Sequence, residues 1–297
     1  MMQTDVLIIG TGPAGIQAAI HAARKKVSVL MVGKPANSAM NGTHIENYFG
    51  ISGTVDGSAM IEAGLEQARS FGCKVLQENI TASSRNGHLF VLTTENDETI
   101  EAKAVIIATG ISRKGLNIPG EKALFGKGVS YCAVCDCGFY RGKTVLIIGD
   151  ETEAAVSAEL MTRYASKVYW VYRTINASQN VVVKASNAGV EMINSDVKSI
   201  IGSEKVESVI LEDGSTIQTD GVFIELGAKS SADIAMDLDV IPRTDDTIKV
   251  DDGCATDVPG VFACGDVTGK PWQVARAVGQ GCVAGTSAAE YVKGLQQ

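Results

Sequence analysis

The clearest pattern in this chain is a short apolar run that ends in glycine and is followed by an alanine-rich stretch. It occurs twice. VLIIG lies between Asp5 and Gly15, with an alanine-rich stretch through Arg24, and a second VLIIG follows Thr144 and leads through a turn into EAAVSAELMTRYA. The apolar runs VSVLMV and KVYWVY come next in the two copies. Because a continuous apolar run bounded by glycines indicates a buried parallel strand, each copy predicts a strand–helix–strand unit.

Shorter strand-like runs lie outside the two repeats. Residues 72–110 alternate such runs with turns at Asn86–Gly87 and Asn96–Asp97, ending in VIIATG. After the second repeat, VESVILEDGSTIQTDGVFIEL predicts a hairpin that rejoins a sheet, and VPGVFACGDVTG predicts a strand and a turn before a helix rich in Ala and Gly.

Two strand–helix–strand units indicate two nucleotide-binding folds. We predict an α/β protein with two Rossmann-like (three-layer ββα) dinucleotide-binding domains, the second inserted in the first. The first domain should comprise residues 1–112 and 229–297, and the second residues 113–228.

Composition excludes several functions. The 297 residues are 45% hydrophobic and 20% charged, with a net charge of −8 and no long basic run, so neither disorder nor nucleic-acid binding is expected. The N-terminal apolar run is too short for a signal peptide, and no apolar stretch is long enough to span a bilayer. We therefore expect a cytoplasmic protein without a membrane partner.

The first glycine loop has the GxGxxG spacing and is formed by Gly10, Thr11, Gly12, Pro13, Ala14 and Gly15. Such glycines allow a tight turn and close approach of a pyrophosphate, which the helix N-terminus stabilises. The acidic residue expected about 20 residues further on is missing, and Gly33 and Lys34 stand there instead. Lys34 is either near a phosphate or a solvated loop lysine.

Two further segments indicate a flavin. Ala108, Thr109 and Gly110 end a strand that can turn back beneath the dinucleotide, and Gly265 and Asp266 follow the strand VFAC. Asp266 can accept a hydrogen bond from a ribityl hydroxyl, and the N-terminus of the following helix can face the ring.

GxGPAG, the ATG segment and GVFxxGDV resemble the FAD signatures of the disulfide reductase flavoproteins with two dinucleotide domains. The resemblance implies FAD bound by the first domain. The implied contacts are Gly10, Thr11, Gly12, Pro13, Ala14, Gly15, Gly33, Lys34, Asn47, Ile80, Ala108, Thr109, Gly110, Gly265, Asp266, Gln273 and Val274.

Three of the seven cysteines, Cys132, Cys135 and Cys137, lie within six residues. A CxxC pair brings two sulfurs within disulfide reach and stabilises a thiolate. Zinc would need two more ligands, which the scattered histidines do not offer, so no metal is expected. The other four cysteines read as small buried side chains.

The CxxC segment, followed by Asp136 and the approach to the second repeat, is similar to low-molecular-weight thioredoxin reductases over nearly the whole chain. The resemblance implies a homodimer that reduces thioredoxin, with Cys135 facing the flavin, Cys132 attacking the partner disulfide and Asp136 as acid–base group. Cys137 replaces the usual Gly, and we interpret it as an inert thiol rather than an alternative resolving cysteine.

The second glycine loop departs from a working NADPH site. Glu151 replaces the second glycine, Asp150 and Glu153 add two more carboxylates, and Arg173 alone remains where the family carries a basic cluster. Like charges about 4 Å apart repel by about 1 kcal/mol even in water, so NADPH binding is disfavoured. The combination resembles the ferredoxin-dependent flavin thioredoxin reductases, a branch independent of pyridine nucleotides.

Reduced ferredoxin is therefore the expected donor to FAD and, through the Cys132–Cys135 disulfide, to thioredoxin. Because ferredoxins are acidic, docking needs basic residues. The candidates, which could equally be scattered solvated side chains, are Arg113, Lys114, Lys122, Lys127, Arg141 and Lys143. The alternatives are a thioredoxin reductase that uses NADPH in an unusual pose or a deazaflavin, a flavin dithiol oxidase, and a non-catalytic flavin or redox sensor.

Overall fold

The computed structural model describes residues 1–110 and 115–295. The chain divides into two compact units, Met1–Ser112 with Lys229–Gln297, and Arg113–Ala228. Among the described residues, no helix combines the length and the apolar character that crossing a membrane requires.

The regular elements follow in chain order. The first stretch of the first unit contains β1 (Met2–Ile9), α1 (Pro13–Arg24), β2 (Val29–Val32), β3 (His44–Ile45), β4 (Val55–Asp56), α2 (Gly57–Ser70), β5 (Lys74–Leu76), β6 (Ile80–Asn86), β7 (Leu89–Thr94) and β8 (Thr99–Ile107). The second unit contains β9 (Val129–Ser130), α3 (Ala133–Asp136), β10 (Thr144–Ile148), α4 (Thr152–Met161), β11 (Lys167–Tyr172), α5 (Gln179–Asn187), β12 (Glu191–Asn194), β13 (Val197–Gly202), β14 (Val206–Leu211), β15 (Thr216–Gln218) and β16 (Gly221–Ile224). The first unit resumes with α6 (Ser231–Asp237), β17 (Val261–Ala263) and α7 (Val274–Gly294).

The sheet of the first unit has the order β5-β2-β1-β8-β7-β6, with β17 paired to β8. β5, β2, β1, β8 and β17 are parallel, whereas β7 and β6 return as antiparallel strands. Alternate residues of the central strands point to opposite faces, so Val6 and Ile8 join a core with α1, α2 and α7, and Leu7 and Ile9 join a core with α6.

The second unit has a parallel five-stranded sheet in the order β12-β11-β10-β16-β9. One face packs against α4 and α5, and the other against the antiparallel sheet β13-β14-β15. The predicted hairpin therefore forms a sheet of its own, and β16 alone rejoins the parallel sheet.

The two repeats and the α/β fold of two Rossmann-like domains are confirmed. α1 ends at the predicted Arg24, and β11 has the predicted bounds. α4 ends at Met161, before the predicted Ala165, because Tyr164 and Ala165 both bond back to the Met161 carbonyl and close a turn.

Candidate functional site

The first glycine loop connects β1 to α1. The Gly10 N–H donates to the Val32 carbonyl at 2.8 Å, and a Cβ on Gly15 would lie 2.1 Å from the Gly10 carbonyl oxygen. α1 begins at Pro13, and its cap, Gly12, offers no side-chain acceptor. The first N–H groups of this helix therefore remain available to an anion.

The other predicted cofactor residues follow the carboxyl ends of the neighbouring parallel strands, which share one edge of the sheet. Gly33, after β2, packs against the first glycine loop, since a Cβ built on it would lie 3.3 Å from the Thr11 nitrogen. Gly265, after β17, packs against the same loop, since a Cβ built on it would lie 2.8 Å from the Ala14 Cβ. After β8 come Ala108, Thr109 and Gly110. The structure thus gathers these separate segments around the first glycine loop.

FAD fits this edge on three observations. The loop leaves helix N–H groups for a pyrophosphate, and a Cβ built on Gly12 would meet no atom closer than the Ser38 Oγ at 4.0 Å. The Thr109 Oγ1 is buried and has no hydrogen-bond partner among the described residues. A buried hydroxyl left without a partner is costly, so it indicates a missing polar ligand.

Asp266 lies in a single helical turn, residues 266–268, directly after β17. Burial raises the pKa of its carboxyl group, and the nearby Arg276 guanidinium partly opposes this shift. Arg276 also donates to the Gly269 carbonyl at 2.6 Å and to the Thr268 Oγ1 at 2.8 Å, which fixes the turn. α7 begins at Val274, after this turn, in the order strand, turn and helix that the sequence predicts.

Asn47 and Gln273 are 226 residues apart, yet the Asn47 Nδ2 donates to the Gln273 Oε1 at 3.0 Å. Gln273 caps α7, and Val274 is the first residue of that helix. Ile80 is buried at the start of β6. The structure therefore brings Asn47 and Gln273 together, although the sequence gives no sign of their contact.

Lys34 does not behave as a solvated lysine. Its Nζ lies 2.9 Å from Glu95 Oε1, and the Glu95 side chain is 2% exposed. The same carboxylate accepts the N–H of Asn79, directly before Ile80. Lys34 therefore neutralises a buried acid, so the alternative of a solvated lysine is wrong, whereas its contact with a phosphate stays a prediction.

The CxxC segment forms a disulfide between Cys132 and Cys135, with an S–S distance of 2.12 Å and a Cα–Cα distance of 5.4 Å. Cys132 caps the short helix α3, and its Sγ accepts the Cys135 N–H at 3.2 Å. Cys132 is buried, Cys135 is exposed and Asp136 is half-buried. Attack by Cys132 on a partner, as the resemblance implies, therefore requires that sulfur to become accessible.

Two buried carboxylates accept hydrogen bonds from residues next to the disulfide, and the sequence reasoning missed both. Glu225 Oε1 accepts the Ala133 N–H at 2.8 Å and the Ser157 hydroxyl at 3.3 Å. Glu121 accepts a hydrogen bond from the Tyr131 hydroxyl at 2.6 Å. Burial, and to a smaller extent this hydrogen bond, raises the pKa of Tyr131 to about 12. The signal for Glu225 was a single acid inside the apolar run VFIEL.

One acid of the second glycine loop, Asp150, bonds to the protein backbone. The Asp150 carboxylate accepts the N–H of Arg173 at 2.8 Å and that of Thr174 at 3.4 Å, in the segment after β11. Glu151 caps α4 with an extended backbone, and its Oε2 is buried without a hydrogen-bond partner among the described residues. The Arg173 side chain pairs with Asp196 at 3.1 Å.

Three of the remaining cysteines, Cys73, Cys254 and Cys264, are buried. Burial raises the pKa of Cys73 and of Cys254 to about 11, and that of Cys264 also rises. These thiols stay protonated at neutral pH. Cys282 is only partly buried, 3.6 Å from the His21 Nδ1.

Comparisons with known proteins agree with this architecture. Residues 4–281 match the pyridine nucleotide-disulphide oxidoreductase family. The chain is 35% identical to the thioredoxin reductase of Listeria monocytogenes, over 99% of this chain and 95% of that protein. The chain therefore belongs to the thioredoxin reductase family of the pyridine nucleotide-disulphide oxidoreductases.

Solved structures give the same result. The atypical thioredoxin reductase TRi of Desulfovibrio vulgaris Hildenborough has a TM-score of 0.83 and 34% identity, covering 98% of both chains. A ferredoxin-flavin thioredoxin reductase of Clostridium acetobutylicum has a TM-score of 0.69 and 32% identity, covering 100% of this chain and 99% of that one. Members of this family are FAD flavoproteins, and FAD is the cofactor of this chain.

Proposed function

We propose that this protein is an FAD-dependent thioredoxin reductase whose electron donor is reduced ferredoxin rather than NADPH. The proposal has two parts. The disulfide of α3 is the group that exchanges with thioredoxin, and the second unit has lost the nucleotide site that would accept NADPH.

The observation that carries the choice of donor is the Asp150 carboxylate. It accepts two backbone N–H groups, from Arg173 and Thr174, just after β11. In a dinucleotide fold, this strand end recognises the ribose 2′-hydroxyl or 2′-phosphate of the ligand. Those donors are therefore already used within the protein. A phosphate group at the same place would also meet the negative charge of Asp150.

Glu151 and Arg173 support the same conclusion. Glu151 stands where the glycine of a working loop allows a pyrophosphate to approach, and its buried oxygen adds a second acid. Arg173, the one basic residue left from the usual cluster, pairs with Asp196 at 3.1 Å. Neither the glycine nor the free cations of an NADPH site are present among these residues.

The curated relatives support the first part, and a solved neighbour supports the choice of donor. The curated relatives are named thioredoxin reductases, and one solved neighbour is named a ferredoxin-flavin thioredoxin reductase. A preserved first loop together with a degenerate second loop is also the pattern by which this sequence resembles the ferredoxin-dependent branch.

The residues of the chain have the following proposed roles. The first glycine loop holds the pyrophosphate of FAD, while Thr109 and Asp266 supply a hydroxyl and a carboxylate to its polar groups. When bound, FAD collects single electrons and delivers them as a pair. Cys132 exchanges with the thioredoxin disulfide, Cys135 resolves it, and Asp136 carries the proton that the exchange requires.

Ferredoxin docking would use the exposed basic residues of the second unit. Lys122, Lys127, Arg141 and Lys143 are all exposed, which makes them available to an acidic protein. Arg113 and Lys114, which belong to the same predicted group, lie outside the described residues. We also propose a cytoplasmic homodimer, in line with the family resemblance.

The test is anaerobic reduction of thioredoxin disulfide by the FAD-loaded protein, with reduced ferredoxin or NADPH as donor. We expect sustained turnover with ferredoxin and a rate at least a hundredfold lower with NADPH. Equal or faster turnover with NADPH would contradict the choice of donor.

Two variants separate the parts of the proposal. Cys135→Ser should abolish turnover with either donor while leaving FAD bound, because the disulfide can no longer form. Lys122→Glu with Lys127→Glu should lower the rate with ferredoxin and weaken its salt dependence, whereas Lys184→Glu, on α5, serves as the matched control.

A further inference from the structure

Glu225 is a buried carboxylate at the start of the helix that carries the disulfide. It directly follows the apolar strand β16 and is 6% exposed, although charged side chains are rarely so buried. Its Oε1 accepts the N–H of Ala133, the first helical residue after Cys132, at 2.8 Å. The Glu225 carboxylate is therefore bonded to the residue that directly follows Cys132, the cysteine that is proposed to attack thioredoxin.

Two hydrogen-bond donors contact the Glu225 carboxylate. Ala133 and Ser157 both donate to the same carboxylate oxygen, and hydrogen bonds to the charged form of an acid favour that form. Within the second unit, Cys135 and Asp136 lie on α3 after its cap Cys132, and Glu153 lies on α4. Glu153 precedes Ser157 by one turn, so both face the same side of α4.

A negative charge beside a thiol disfavours the thiolate. We propose that Glu225 is the positioning residue of the Cys132–Cys135 pair: it fixes the Ala133 amide, and its charge keeps the Cys132 thiol of the reduced pair protonated at neutral pH. A reduced pair that gains little from thiolate formation is less stable and is a stronger reductant. Glu225 would thus set the direction of electron flow toward thioredoxin, a role that rests on the proposed redox function.

The S–S bond takes up two electrons and breaks, and both sulfurs bind a proton, so that a neutral disulfide becomes a neutral dithiol. In the experiment dithiothreitol supplies the two electrons and two protons and is oxidised to its cyclic disulfide. Ferredoxin and thioredoxin are absent, so failure of this inference is distinguishable from failure of the proposed function.

The test compares Glu225→Gln with the parent in a Cys137→Ser background. Glutamine keeps an acceptor for the Ala133 N–H but removes the charge. Reduced protein is alkylated with iodoacetamide from pH 6 to pH 9, and Cys132 labelling is measured by mass spectrometry. We expect labelling at pH 7 to be about tenfold faster in Glu225→Gln, which corresponds to one unit of thiol pKa.

The equilibrium with dithiothreitol gives a second readout. Glu225→Gln should shift the equilibrium toward the reduced Cys132–Cys135 pair. The equilibrium constants of variant and parent should be equal at pH 6 and should differ by about tenfold once the pH exceeds the Cys132 thiol pKa in both proteins. Glu225→Asp, which keeps the charge, should follow the parent, and Glu159→Gln, on the exposed side of α4, should change nothing. Identical pH profiles for Glu225→Gln and the parent, or Glu225→Asp behaving as Glu225→Gln, would overturn the inference.

Discussion

The two glycine loops begin from the same five residues, VLIIG, and follow the same backbone path. The caps of α1 and α4 are both extended, with ψ of −177° at Gly12 and −179° at Glu151. In the first loop the cap carries no side chain and the helix N–H groups stay open. In the second, an acid occupies the corresponding position.

This difference separates folding from binding. A strand, a tight turn and a helix form in both loops, because the apolar strand and the first glycine are kept. The residues that would face a ligand differ, and in the second loop the Asp150 carboxylate accepts a hydrogen bond from the backbone N–H of Arg173. The strand, turn and helix of a dinucleotide fold therefore persist even where the residues that would face the ligand differ.

Gly12→Glu should place an acid at the cap of α1, as Glu151 does at the cap of α4. Gly12 has φ of −81°, so a side chain is sterically allowed, but a carboxylate there repels the pyrophosphate. We expect FAD affinity to fall by about 10²–10³-fold, or about 3–4 kcal/mol, measured by FAD titration of the apoprotein. Gly12→Ala is the matched control and should lose far less; a yellow Gly12→Glu protein of normal affinity would refute the assignment.

Asp266→Asn tests the strand-end carboxylate of the first unit. Loss of a charged hydrogen-bond acceptor should weaken FAD binding by about 1.5–3 kcal/mol, roughly 10- to 100-fold. The exposed Asp252→Asn should not affect FAD binding.

The same variant carries a pH prediction for the apoprotein. Because the folded-state pKa of Asp266 is raised by burial, the folded state loses stability as the pH rises through that pKa. Asp266→Asn should therefore be more stable than the parent at pH 7, and the gain should vanish below about pH 4, where both states bind the proton. A gain that is independent of pH in thermal unfolding would contradict the buried charge.

Asp150→Ala should destabilise the second unit, because two backbone N–H groups lose their acceptor. We expect a loss of about 1–2 kcal/mol in the free energy of unfolding. Trp170 is a local fluorescence probe, since its Nε1 donates to the Gly149 carbonyl at 2.8 Å. Asp150→Asn, which keeps an acceptor oxygen, should lose less; an unchanged Asp150→Ala protein would show that the acid has no structural role.

Cys137→Ser should have the smallest effect. Its thiol donates only a weak bond, at 3.4 Å, to the Val134 carbonyl. Thioredoxin turnover should stay within about twofold of the parent and stability within about 0.5 kcal/mol. A loss of turnover similar to that of Cys135→Ser would make Cys137 a resolving cysteine.

The sequence predicted those parts of the molecule that depend on local pattern. The apolar runs predicted β11 and the second half of β1, which begins earlier, at Met2, and the glycines predicted both loops. Strand burial and turn geometry depend on neighbouring residues in the sequence, so a local pattern can predict them. The separation of the hairpin from the parallel sheet was not predictable, since either arrangement buries the same alternating side chains.

The contacts that tune the sites were not predictable either. Glu225 and Ala133 are 92 residues apart, Lys34 and Glu95 are 61 apart, and Asp150 and Arg173 are 23 apart. Such partners are chosen by tertiary packing, which periodicity and spacing do not encode. The acids were visible in the sequence, but their partners were not.

The most direct test is an anaerobic reductive titration of the FAD-loaded protein that counts electrons per chain. Reduced ferredoxin should deliver four electrons to the parent, two for FAD and two for the disulfide, and two electrons to Cys135→Ser. Equimolar NADPH should leave the flavin absorbance unchanged. Uptake of only two electrons by the parent, or bleaching of the flavin by equimolar NADPH, would contradict the account.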